Sequence, residues 1–239
     1  MRRDISGFSL LEIAILLIII GLISGMSLPA LRSMRDWQKA ATTAQNQEKI
    51  LYALASYAIQ NRSLPYAANP TNFSGKQDIG ARRRRGIVPY ADLGLPESVA
   101  KDGYHHWITY VMDHDYATLP EKPYGKSTIY QLKNRLCEMP QYATYLHLNP
   151  LHIKNGQKNI ALALISHGAE GRGAYPDPLG SGLMGSDEKQ NATSDNEIID
   201  RPLSQDPQDP FSHKVVWVTA SNLLATYGRS PCPPLEEIP

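Results

Sequence analysis

A nearly uninterrupted apolar run close to the start of the chain constrains its fold more than any other feature. Residues 7–25 read GFSLLEIAILLIIIGLISG, and Glu12 is the only charged residue among them. Counted from Phe8 to Leu31 the run has 24 residues, and about 20 helical residues cross the hydrocarbon layer of a bilayer. The run therefore predicts a membrane-spanning helix, although an ionised carboxylate in hydrocarbon costs about 2.5–3.5 kcal/mol. The alternatives are a cleaved signal peptide, which has a shorter apolar core that ends in a small-residue cleavage site, and an ordinary signal anchor, which leaves Glu12 unexplained.

The helix is predicted to continue far beyond the apolar run. Between Ala30 and Asn61 the chain has no proline or glycine. A helix from Phe8 to Asn61 has 54 residues and a length of about 80 Å, with Pro29 as a point of local loosening. Mostly apolar residues recur along it every three or four positions: Leu31, Met34, Trp37, Ala41, Ala44, Glu48, Leu51, Leu54 and Ala58. Ile50, Leu54 and Tyr57 widen this stripe at its distal end, so we expect residues 50–59 to pack on a folded head.

The rest of the chain, residues 62–239, is predicted to form one globular head rich in turns and short strands. Most of the 18 prolines and 17 glycines lie in this part. A short helix is expected at 220–225, with Ser221 as a possible cap. The predicted fold class is α+β, a long membrane-spanning N-terminal helix packed on an antiparallel sheet. Its strands are expected at His106–Met112, Ile129–Leu132, Ile160–Ser166 and Lys214–Thr219.

Residues 1–12, MRRDISGFSLLE, resemble the amino-terminal signal of type IV pilins and type II secretion pseudopilins. The resemblance implies that a prepilin peptidase cuts after Gly7 and that Phe8 becomes the N-methylated terminus. Glu12 would then stand at the fifth mature position, where it can pair with the terminal amine of a neighbouring subunit. Gly21 and Pro29 also match the family, and Gly21 with Gly25 forms a GxxxG pattern that lets helices pack closely.

The resemblance also implies an organisation and a role. Residues 1–7 would be the leader, 8–31 the transmembrane half of the helix and 32–61 its periplasmic half, with the N-terminus cytoplasmic and the head periplasmic. The chain would be a minor pilin or pseudopilin rather than an enzyme. Its implied partners are prepilin peptidase, other pilin or pseudopilin subunits, the assembly platform of the bacterial inner membrane, and membrane lipid. The alternative is an anchored periplasmic binding protein or enzyme that carries a pilin-type signal.

Four consecutive arginines, Arg82, Arg83, Arg84 and Arg85, suggest a partner for the head. Cationic side chains contact nucleic-acid phosphates, so a DNA-binding minor pilin of a competence pilus is one interpretation. No interleaved aromatic residues supply a stacking platform. An exposed loop that meets an acidic partner subunit is therefore favoured.

The remaining polar groups of the head give weaker signals. Cys137 and Cys232 form a possible disulfide, as in the C-terminal loops of many type IV pilins, or remain unpaired thiols. The sequence Ser166-His167-Gly168 is interpreted as a strand ending in a glycine-rich turn rather than as an active site. No cofactor or metal is assigned. Two sets of residues could ligate a metal ion: His105, His106, Asp113, His114 and Asp115 form one, and Asp187, Glu188, Asp195 and Glu197 form the other. The acidic set could form a calcium-binding loop, although a solvated loop is favoured.

Overall fold

The structure is a computed structural model that describes residues 10–113, 116, 150–180, 184–194 and 196–229, without the side chains of residues 23–32. It begins with helix α1, Leu10–Asn61, which has 52 residues and continues through Pro29. Its predicted end at Asn61 is confirmed. The next residue, Arg62, adopts a φ of 57°, the left-handed geometry that commonly follows the last turn of a helix.

The predicted membrane-spanning character of α1 is wrong. Among the helices of the described residues, none has a segment both long enough and apolar enough to cross a membrane. The α+β class and the antiparallel sheet of the prediction stand, whereas its transmembrane half of the helix does not.

The head contains a four-stranded antiparallel sheet. Its strands, in spatial order, are β1 (Arg85–Ile87), β2 (Thr109–Met112), β4 (Leu162–Ser166) and β6 (Lys214–Val218). The central pairing sets Leu164 of β4 opposite Tyr110 of β2 and Val216 of β6. The predicted strands that became β2, β4 and β6 are confirmed. The predicted strand at Ile129–Leu132 lies outside the described residues.

The shorter elements surround this sheet. A second, two-stranded parallel sheet pairs β3, His152–Ile153, with β5, Glu197–Ile198. Helix α2, Ser186–Thr193, lies in sequence between them. After β6 the chain forms α3 and a π-helical turn, so the predicted helix is confirmed. Its cap is Thr219 rather than Ser221, because the Thr219 side chain accepts a hydrogen bond from the Asn222 amide. The remaining bounds are Glu97–Ala100 for a 3₁₀ helix, Ala220–Asn222 for α3 and Leu223–Tyr227 for the π-helical turn.

Both faces of the main sheet are covered, because alternate residues of a strand point to opposite sides. Leu162 and Leu164 of β4 join the core between the sheet and α1. Ala163 and Ile165 face the second cluster, which includes Ile198 of β5. A strand buried on both faces reads as a continuous apolar run, and LALIS in β4 is such a run.

The predicted packing of residues 50–59 of α1 on the head is confirmed, and the packed stripe also includes earlier residues of the helix. Leu51, Leu54 and Ala58 are buried as expected, but Met34 and Trp37 are exposed to 60% and 73%. Ala44 and Glu48 are exposed as well. In the structure the packed stripe starts with polar residues that precede Ile50, and the apolar pattern of the sequence does not predict them. Its members are Thr43, Asn46, Gln47, Ile50, Leu51, Leu54, Ala55 and Ala58.

The polar residues of this stripe bind backbone groups of the head. Asn46 Nδ2 donates to the carbonyls of Lys101 at 2.8 Å and Ser98 at 3.3 Å. Thr43 Oγ1 accepts from the Gly103 amide at 3.0 Å. Gly103 therefore lies directly against the helix backbone, and a Cβ added there would be 2.0 Å from the carbonyl oxygen of Lys39.

Substitution of this glycine tests how tightly α1 is docked. We expect Gly103→Ala to lower the free energy of unfolding by about 2–4 kcal/mol, because a backbone atom of α1 would have to move. Gly80→Ala is the matched control: its added Cβ meets no atom within 4 Å, so its effect should stay within about 1 kcal/mol. Denaturant unfolding of the two variants and the unsubstituted chain, all in the same detergent, measures the difference. Equal stability of the two variants would contradict the close docking.

Candidate functional site

The start of α1 carries most of the large apolar side chains that are exposed among the described residues. Leu10 and Leu11 are exposed to 87% and 70%, and large aliphatic side chains stay about half exposed or more as far as Leu22. Glu12 is exposed within this segment. At Gly21 an added Cβ would meet no atom within 4 Å outside the helix. We call residues 10–22 the apolar segment.

The other residues predicted from the amino-terminal signal are only partly described. Gly7 and Phe8 lie outside the described residues. Gly25 and Pro29 lie within α1, and the structure describes only their place in that helix. Cleavage after Gly7 and methylation of Phe8 therefore stay predictions, as does close packing of helices at Gly21 and Gly25.

The four arginines do not form one exposed cationic surface. Only Arg82 is exposed. Arg83 Nε forms an ion pair with Asp78 at 3.0 Å, and the Arg83 guanidinium lowers the pKa of the Asp78 carboxyl together with a hydrogen bond from the Ala81 amide, which is the larger cause. Arg85 is 8% exposed and begins β1. The predicted exposed loop is therefore wrong at its last residue, which is part of the sheet.

Arg85 binds the end of a neighbouring helix. Its guanidinium donates to the carbonyls of Asn191 and Ser194 at the C-terminus of α2. The last carbonyls of a helix lack partners within the helix and carry partial negative charge, so a cation is favourable there. The Asn191 side chain also pairs with both backbone groups of Ile199, at 2.7 and 2.8 Å. Arg85 and Asn191 thus fix the C-terminus of α2.

Helix α2 contradicts the prediction of a solvated acidic loop. Asp187 forms an ion pair with Arg201 at 2.8 Å. Glu188 is buried, and one of its oxygens accepts from both the amide and the hydroxyl of Ser212 at 2.8 Å. Glu197 accepts from Gln190 at 3.0 Å. These three carboxylates of the considered calcium set are therefore engaged by protein groups, and the fourth, Asp195, lies outside the described residues.

The His/Asp set before and after β2 is also used within the fold. A ring nitrogen of His106 lies 2.9 Å from the Gly168 carbonyl, and Asp113 accepts from the Leu151 amide at 2.8 Å. Of the other members, His105 is exposed, and His114 and Asp115 are not described. In the described part of the chain, no group of three or more histidine, cysteine or acidic side chains could hold a metal ion.

Two fully buried histidines form a cluster that the sequence did not predict. His167 follows β4 and His213 precedes β6, just beyond the last registered pair, Ser166 with Lys214. Their ring centroids lie 4.5 Å apart with the planes at 86°. The carbonyl of Arg172 lies 3.1 Å from His167 Nδ1 and 2.7 Å from His213 Nε2. We call His167, His213, the Arg172 carbonyl and Thr109 the histidine cluster.

The contacts of the histidine cluster suit two neutral rings. His213 Nε2–H can donate to the Arg172 carbonyl, and His167 Nε2 shares a 2.8 Å hydrogen bond with Thr109 Oγ1. Burial lowers the pKa of the His167 imidazole well below its usual range, and the charges of nearby His213 and Arg85 lower it further. Burial likewise lowers the pKa of His213, opposed by its hydrogen bond to Arg172. With exposed fractions of 1% or less, neither ring can reach a substrate in this conformation.

In the sequence, each histidine is marked only by its place next to the end of a predicted strand. His167 lies in the predicted glycine-rich turn, whereas nothing in the sequence singles out His213. Pairing of β4 with β6 brings them together, and strand register is not readable from one sequence. The turn that follows needs glycine, because Gly168, Gly171 and Gly173 all have positive φ.

No protein-family model, curated protein or solved structure matches this chain. Cys137 and Cys232 lie outside the described residues, so their pairing stays a prediction.

The arginine run provides a test of the two roles assigned to it. We expect Arg85→Ala to lower the free energy of unfolding by about 2–4 kcal/mol, since it removes charge-assisted hydrogen bonds from buried carbonyls. The exposed Arg82→Ala is the matched control and should change it by less than about 0.5 kcal/mol. Denaturant unfolding measures both. A neutral Arg85→Ala would contradict the structural role, and any DNA-binding test should use Arg82→Ala, because replacing all four arginines would also damage the fold.

Proposed function

We propose that this chain is a filament subunit, a minor pilin or pseudopilin of a type IV pilus or type II secretion system. The observation that carries the proposal is the division of α1 into two parts. The second part is docked on an antiparallel sheet, and the first part, the apolar segment, exposes its side chains. The pilin-like sequence around Gly7 and Glu12 supports the same conclusion from an independent direction.

The apolar segment needs protein or another apolar medium around it. Its large side chains are exposed on all sides of the helix, and a helix that is apolar all round is normally buried. Burying one leucine or isoleucine side chain contributes about 1.5–3 kcal/mol. In the proposed filament the same segments of neighbouring subunits surround each other, so the exposed surface becomes the core of the assembly. The head would lie outside the cytoplasm.

Glu12 sets the stagger in this proposal. After cleavage behind Gly7, Phe8 carries a cationic amine, and methylation keeps that charge. A carboxylate surrounded by apolar helices is costly unless an opposite charge compensates it. Only a stagger that places the Phe8 amine of one subunit beside Glu12 of the next compensates both charges.

Processing by a prepilin peptidase is the first test of the proposal. Co-expression with the cognate peptidase should yield a mature chain that starts at methylated Phe8, as measured by N-terminal sequencing and intact mass. Gly7→Val should block cleavage because the leader of the resembled family ends in glycine at the cut site. The matched control Gly21→Ala should be cleaved normally. A mature chain with any other terminus would overturn the assignment.

Assembly is the second test. Glu12→Ala should still be cleaved but should enter filaments at least tenfold less well, since about 1.4 kcal/mol already gives a factor of ten. The control Glu48→Ala removes an exposed acid from the docked half of the same helix and should assemble normally. Immunoblotting of sheared filaments against total cell protein measures both. Normal incorporation of the Glu12 variant would refute the role of this residue, while the cleavage test would still judge the family assignment.

A further inference from the structure

The histidine cluster holds down one corner of the head. The turn Gly168–Gly173 covers it: an added Cβ at Gly173 would lie 2.8 Å from His167 Nδ1 and 3.0 Å from Ala192 of α2. Helix α2 thus packs over the turn, and the turn packs over the histidines. The position of α2 also depends on Glu188, which binds Ser212 next to His213.

In this arrangement a proton added to His213 has no hydrogen-bond acceptor among the described residues. His213 Nδ1 is buried and has no hydrogen-bond partner among the described residues. A proton added there would create a buried donor without an acceptor, which is costly. His167 has a partner at each ring nitrogen, Thr109 Oγ1 at Nε2 and the Arg172 carbonyl with His213 Nε2 at Nδ1. Its protonation is disfavoured by burial and by the neighbouring cations rather than by an unpaired donor.

The charges around the cluster add to this cost. The charge of Arg85 in β1 lowers the pKa of both rings, and the charge of His106, before β2, lowers the pKa of His167. On the acidic side Glu188 of α2 favours a charged His213, but its oxygen is already shared with Ser212. Asp102, the other buried acid at this end of the sheet, accepts from Ser166 at 2.7 Å. Two histidine cations would therefore join the guanidinium of Arg85 with little compensation.

From this geometry we infer that the histidine cluster is an acid-operated latch, which holds the turn Gly168–Gly173 and helix α2 on the sheet when neutral and releases them when protonated. The released unit lies at the sheet end where β4 finishes, whereas the residues described in the core between α1 and the sheet include no histidine. Acid is thus expected to open this corner while α1 stays docked. The inference does not depend on the filament proposal.

The direction of the pH dependence follows from the lowered pKa values. In the open state each histidine takes up a proton near its ordinary pKa of about 6.5, whereas in the closed state it stays neutral to lower pH. The latch is therefore fully closed above about pH 6.5 and weakens as the pH falls below it. For each histidine that titrates only in the open state, the opening constant rises about tenfold per pH unit.

Hydrogen exchange of the full chain in detergent tests this inference. Amide protection at 168–173 and 186–193, corrected for the intrinsic pH dependence of exchange, should fall at least tenfold between pH 7.5 and pH 5.5. Protection of residues 51–58 of α1 should change by less than threefold over the same range. Unchanged protection of the latch segments, or an equal loss in α1, would overturn the inference of a local release.

Variants identify the titrating groups. His213→Gln keeps an amide donor for the Arg172 carbonyl but cannot titrate, so the pH-dependent loss of protection should shrink at least threefold. Adding His167→Asn, which keeps a donor near the position of Nδ1, should abolish the remaining dependence. His105→Asn, an exposed histidine with a φ of 68°, is the control and should behave like the unsubstituted chain. An unchanged pH dependence in His213→Gln would refute the latch; if the double variant does not fold, the single variant and the unsubstituted chain decide.

Discussion

The docking of the second half of α1 on the sheet is the contact on which the rest of the structure depends. It has an apolar lower part, centred on Ile50, Leu54 and Ala58, that forms the core with β2 and β4. Its upper part is polar, and Asn46 and Thr43 bind backbone groups of the head. Apolar burial supplies most of the stability of such a contact, whereas the hydrogen bonds fix its register, since a shifted helix would leave buried polar groups unpaired. The head is thus held at one height along α1.

The far side of the sheet is organised by charge rather than by apolar burial alone. The Arg85 side chain, from β1, binds the C-terminus of α2, and the Glu188 side chain, from α2, binds Ser212, the residue before His213. These two interactions connect β1, α2 and the start of β6 around the histidine cluster. Buried polar networks of this kind are stable only while each member has its partner. The Nδ1 atom of His213, which has no hydrogen-bond partner among the described residues, makes this network sensitive to a proton.

The parts of the fold that follow from local periodicity could be predicted, and those that follow from strand register could not. The end of α1 at Asn61 and strands β2, β4 and β6 are visible as runs of helical or extended character. The polar part of the packing face of α1 could not be predicted, because nothing in the sequence shows that Asn46 meets backbone carbonyls of the head. Helix α2 was taken as a loop because its residues are polar, yet tertiary contacts of Glu188 and Asn191 stabilise it. The partnership of His167 with His213 required the pairing of β4 with β6.

The two halves of α1 present different physical problems, and this contrast makes assembly the most economical account of the chain. The docked half buries its apolar stripe within the subunit, while Met34 and Trp37, which precede the docked residues on the same helix, stay exposed. The large side chains of the apolar segment stay about half exposed or more in the described part of the subunit. Both exposed regions lie on one continuous helix, so subunits that associate through the segment would also bring these side chains close to a neighbour. In the proposed filament, the axial stagger between subunits that Glu12 sets would then also determine the spacing of the heads, because both lie on the same helix.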